Sequence, residues 1–193
     1  MQYFGEEYVG SRGSTPISGI RNVLRNINRE IDKVKGRTLT GLIKAAALIH
    51  NETETGAVRV PVDTGNLRHS WFVVTSAGKI VSGGGRSKVV DGGAASFTGA
   101  SAGTMAADHS AMIKEMRMRA WAFSEINDGP FVFFGYSANY AVYVHEMIDV
   151  GPWDPSTKTG FRRKKSGPKW FEIALNKHQD NIVSIIRKNA KIK

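Results

Sequence analysis

The chain has 193 residues, no cysteine and a formal net charge of +10. No apolar run reaches the roughly 18 residues that a membrane-spanning helix needs. The lack of cysteine excludes a disulfide framework and a thiolate metal site. Hydrophobic residues make up 41% of the chain, which excludes a disordered polypeptide and leaves room for one packed core. The charge favours an anionic partner: nucleic acid, a negative surface or an acidic protein.

Residues 1–15 read as an irregular arm, because Gly5, Gly10 and Gly13 break any period. Glu6 and Glu7, with no apolar stretch beside them, do not read as a secretory signal. One domain is expected over 16–193. From Pro16 a helical period begins. Ile17, Ile20, Val23, Leu24, Ile27, Ile31 and Val34 recur by threes and fours on one stripe, with Arg21, Arg25, Arg29 and Lys33 on other faces. Gly36 predicts a stop and Thr38 the cap of a second helix, whose buried face holds Leu39, Leu42, Ile43, Ala46 and Ile49.

Pro61 breaks the pattern, and Asp63-Thr64-Gly65 reads as a turn. A strand is predicted over 70–76, with Lys79 to Val81 pairing back. Residues 82–103 hold seven of the 21 glycines and predict a flexible insertion. That insertion extends to about 126 through a third helix, apolar at Met105, Met112, Ile113, Met116, Ala120 and Phe123. Phe131 to Tyr136 is the strongest strand signal, four of its six residues being aromatic. Asn139 can cap a short helix over 140–147. An exposed basic loop follows, and Pro168 suits the first position of a last amphipathic helix. The order predicts an α+β fold, a small antiparallel sheet packed against long amphipathic helices on one face.

Several short matches to catalytic motifs are weak. Asp63-Thr64-Gly65 matches an aspartic-protease turn, but that chemistry needs two carboxylates sharing a proton, and a cationic Arg68 nearby opposes the shared state. A cap, with the Asp63 carboxylate accepting backbone N–H groups, is the plainer reading. His145-Glu146 begins like a zincin helix, yet Asp149 stands where the second histidine belongs. His145 is expected to face solvent or a neighbouring subunit. Gly83 to Lys88 fits neither phosphate-loop spacing. No catalytic residue, cofactor or metal is expected. Lys158, Arg162, Arg163, Lys164, Lys165 and Lys169, with no acid among them, are candidate contacts for DNA phosphates or for an acidic protein partner.

Three segments carry a family resemblance. They are Pro61-Val62-Asp63-Thr64-Gly65-Asn66-Leu67-Arg68-His69-Ser70, then Tyr140-Ala141-Val142-Tyr143-Val144-His145-Glu146, then Pro168-Lys169-Trp170-Phe171-Glu172. In content and order they resemble the tail-completion or head–tail joining proteins of tailed phages, a family of neck and minor tail components. The chain departs from that family at Met147-Ile148-Asp149 and in the length of 82–126. The resemblance implies a non-enzymatic structural subunit of the virion. Such a subunit forms a ring, expected to be a hexamer, at the head–tail junction after assembly in the host cytoplasm. Its partners are copies of itself and other neck, connector, tail-tube or tail-terminator proteins, with DNA in the lumen and no membrane. Within it, Pro61, Asp63, Thr64, Gly65, Leu67, Arg68 and Ser70 form a structural turn. Tyr140, Tyr143, Glu146, Trp170 and Phe171 are core or interface residues. A stand-alone nucleic-acid-binding protein is the alternative, and an aspartic protease a more distant one.

Overall fold

The first apolar stripe builds one helix, not two. A computed structural model describes residues 20–77, 96–152, 154, 156–157, 160–161 and 164–191, and α1 runs unbroken from Ile20 to Thr55. Gly36 does not end it. A mid-helix glycine costs about 1 kcal/mol, and burial of Leu39, Ile43, Ala45, Ala46 and Ile49 immediately after it outweighs that cost. Thr38 is no cap either: its hydroxyl donates to the Val34 carbonyl one turn back, at 2.9 Å.

After α1 come α2 (Asn66–His69), β1 (Trp71–Thr75), α3 (Ala102–Asn127), β2 (Val132–Tyr136), α4 (Ala141–His145) and α5 (Trp170–Ala190). The fold is α+β, as the order of patterns predicts. β1 and β2 pair antiparallel, from Trp71↔Tyr136 to Thr75↔Val132, and form the one sheet among the described residues. The expected arm over 1–15, Ile17, the return strand at 79–81 and the glycine run from Gly83 to Gly93 lie outside the described residues.

Helices cover both faces of this sheet rather than one. Cross-strand partners share a face. Phe72, Val74 and Phe133 pack with Met112, Ile113 and Met116 of α3. On the other face Trp71 stacks on His50 of α1, with ring centroids 4.5 Å apart, and lies against Phe134, Tyr136 and Phe171. The reason is in β1 itself. Trp-Phe-Val-Val-Thr has no polar alternation, so both of its faces need cover.

α5 lies antiparallel along the second half of α1. Glu52 accepts hydrogen bonds from Lys177 at 2.7 Å and from His178 at 3.0 Å, while Lys44 reaches Asn189 near the far end of α5. Gly41 permits the close approach, since a Cβ there would stand 3.1 Å from the Ile186 Cα. α5 starts later than Pro168 suggests. Lys169 takes a left-handed conformation, φ 56°, before the first helical residue Trp170. The short helix likewise starts at Ala141, with Tyr140 rather than Asn139 at the cap position and no side-chain cap bond.

Candidate functional site

The three motif segments, far apart in sequence, meet in one hydrophobic cluster. Val60 and Leu67 from the turn, Ala138 and Ala141 around α4, and Trp170 opening α5 are all buried together. Tyr136, Tyr140, Val144 and Phe171 pack around them. Full burial of side chains such as Leu67 and Trp170 stabilises by about 1.5–3 kcal/mol each or more, so the motif residues act first as core.

The turn is built by Gly65, whose φ of 89° favours glycine. It occupies the N-cap position of α2, with no side-chain cap bond there. Thr64 supplies a local hydroxyl acceptor, with the Asn66 N–H at 3.4 Å. Ser70 is fully buried and donates to the Leu67 carbonyl at 2.7 Å, while its own carbonyl accepts the Ser137 N–H at 2.9 Å. Pro61 is buried at the entry to the turn. Arg68 pairs with Glu54 at 2.5 Å, which ties the turn to the end of α1. Asp63 is exposed, and its charge, after burial, helps hold the Tyr140 phenol above its ordinary range.

Sequence reasoning missed Asn66 and His109. The Asn66 side-chain amide donates to the Thr98 carbonyl and accepts the Thr98 N–H, both at 2.9 Å, so it fastens the turn to the segment leading into α3. His109 is buried, with Nδ1 2.6 Å from the Ser137 hydroxyl and its ring edge-on to Phe97. It falls on the same helical stripe as Met105, Ile113 and Met116, so periodicity places it inward. Its partner Ser137 lies beyond any local pattern.

Glu146 joins the second and third segments. It accepts from Lys169 and, at 2.8 Å, from His145. Lys169 and then His145 hold its carboxyl below the usual range, and the same carboxylate raises the Lys169 ammonium. The Lys169 N–H donates to the His145 carbonyl at 2.8 Å. His145 is mostly withdrawn from solvent, its side chain 17% exposed. Its ring packs edge-on to Trp170 at 4.8 Å. Trp170 is core and Phe171 half-buried, whereas Tyr143 is 69% exposed beside Val142 at 73%.

The expected basic run divides. Lys164 and Lys165 are exposed, and the Lys165 carbonyl accepts the Arg59 N–H at 2.8 Å. Lys169 is committed to Glu146 and, at 3.5 Å, to Glu172. Lys158, Arg162 and Arg163 lie outside the described residues. Other cations are exposed along α1: Arg21, Arg25, Arg29 and Lys33. Among the described residues no three histidines or carboxylates are grouped to hold a metal ion, and no helix is long and apolar enough to cross a membrane. Protein-family models, curated proteins and solved structures give no match to this chain.

Proposed function

We propose that this chain is a structural subunit of a tailed-phage virion, a tail-completion or neck component that forms a ring at the head–tail junction through which DNA passes. One observation carries the reading. The three segments that resemble that family pack on one another as a single body, and their polar members bind each other rather than surround a cleft. Asp63-Thr64-Gly65 works as a turn, Glu146 as a clasp to Lys169, and Trp170 as core. What this body offers outward is surface: Val142, Tyr143 and Ile148 in and just after α4, and the cations Lys164 and Lys165. A closed ring needs two complementary patches on each subunit, and exposed apolar side chains beside a rigid clasp suit one of them. The test is imaging of the purified protein and of intact particles. A ring, placed at the neck, is expected. A chain that is monomeric at all concentrations and missing from virions overturns the reading.

A stand-alone nucleic-acid-binding protein is the second reading, favoured by the exposed cations of α1. It predicts measurable affinity for free duplex that falls steeply with salt, whereas a ring subunit binds DNA weakly until assembled.

A further inference from the structure

Among the described residues, the first half of α1 leaves an apolar stripe bare. α5 covers α1 only as far as Gly41, where Ile186 and Asn189 lie, and α5 ends at Ala190. From Arg21 to Val34 the helix continues for about 21 Å, at about 1.5 Å per residue, with most of its residues exposed and Val34 half-buried. Along it Leu24, Ile27, Ile31 and Val34 are spaced three, four and three apart. That is the heptad seam by which one helix packs on another. Leu24 is 38% exposed, Ile27 49% and Ile31 38%, with Val23 beside them at 56%. Carried forward, the same spacing reaches Gly41 and Glu52, which lie against Ile186 and Lys177 of α5. The bare stripe is therefore the continuation of a helix–helix seam whose second strand stops short.

We propose that a second copy of this chain supplies that strand, the two α1 arms packing antiparallel along their stripes. Charge favours a like copy over an acidic partner. Arg21, Arg25, Arg29 and Lys33 follow the i, i+4 ridge on the far side of the helix, so two paired arms point their cations apart. The residues bordering the stripe at its middle are Asn28 and Glu30. Direction follows from α5. It fills the seam from Gly41 onward, so the partner's body must lie beyond the other end of the arm, and its arm runs in the direction of α5. An isologous contact of this kind is self-limiting at two chains. It is separate from the ring contact proposed above and does not depend on it.

The native chain has no cysteine, so single cysteines report the contact without background. In the full-length protein, Ile27→Cys, near the midpoint of the paired arms, is expected to form a disulfide-linked dimer under mild oxidation. Arg29→Cys on the far side and Val34→Cys near one end are expected not to. Cross-linking at Val34 as efficient as at Ile27 means parallel arms and overturns the arrangement. Sedimentation of the unmodified chain over a concentration series should show a monomer–dimer equilibrium that Ile27→Asp abolishes. At concentrations where the wild type is monomeric the variant's melting temperature should match the wild type's, because the Ile27 side chain is not in the core of its own chain. A wild-type chain that stays monomeric throughout, or an Ile27→Asp variant that still dimerises or no longer folds, overturns the proposal. Loss of the dimer in Ile27→Asp with rings still formed would separate this contact from the ring contact, while absence from virions would leave it standing.

Discussion

The two halves of α1 carry the same apolar spacing and meet opposite surroundings. Beyond Gly36 an apolar face is buried: Ala46 and Ile49 are fully enclosed, in the half of α1 that packs on α5 and the sheet. Before Gly36, Leu24, Ile27 and Ile31 stand open to solvent. The difference is not in whether apolar residues recur, since Leu39, Ile43, Ala46 and Ile49 recur by threes and fours as Leu24, Ile27, Ile31 and Val34 do. It is in the length of what packs against them, since α5 runs from Trp170 to Ala190 and α1 from Ile20 to Thr55. An amphipathic period states that a face will be covered, not by which element or by which molecule.

Substitutions in the two regions should separate them. Trp170→Ala removes the largest fully buried side chain at the junction of all three motif segments. It should cost about 3–5 kcal/mol, read by denaturant unfolding. Ile27→Ala should stay within about 0.5 kcal/mol in the monomer, and a large loss there would show that the arm is buried in its own chain. Gly41→Leu lies at the boundary between the halves. Its side chain would collide with the Ile186 backbone, and a loss of about 1–3 kcal/mol is expected from forcing α1 and α5 apart. An unchanged midpoint would mean that the helices can separate freely.

Smaller effects come from titration. Glu52 is held below the usual carboxylate value of 4.5, first by His178 and then by Lys177. A depressed carboxyl stabilises the fold above that value and loses its contribution as pH falls through the lowered one. Glu52→Gln should therefore flatten the acid limb of a melting-temperature profile, and an unaltered limb would show that the clasp between α1 and α5 contributes little. His50 is pushed below 6.5 by burial against Trp71. The folded state then takes up its proton less readily than the unfolded chain. Stability should decline modestly as pH drops below 6.5, and less so in His50→Phe.

Much of the fold could be read from the chain. The strands at Trp71–Thr75 and Val132–Tyr136, and α3 and α5, fall within a few residues of their sequence signals. Gly36 and Pro168 misled because each was read as a local boundary, Gly36 as a helix stop and Pro168 as the first position of the last helix. At Gly36 the next turn buries Leu39 and Ile43, and the helix continues. At Pro168 the chain needs one further residue, Lys169 in a left-handed conformation, to bring Trp170 into the core. Of the candidate site, the turn glycine and the core tryptophan were legible. The pairing of Arg68 with Glu54, of Glu146 with Lys169, and of Asn66 with Thr98 was not.

The sequence by itself determined which faces are apolar, where the chain turns and which segments carry the family-like pattern, because these depend on residues within a few positions of each other. Only the tertiary structure decided which charges are spent on one another, that both faces of the sheet are covered, and that half of the longest apolar stripe is left without a partner among the described residues. Those outcomes depend on contacts between residues tens of positions apart and on the relative lengths of packed helices, and no local pattern encodes either.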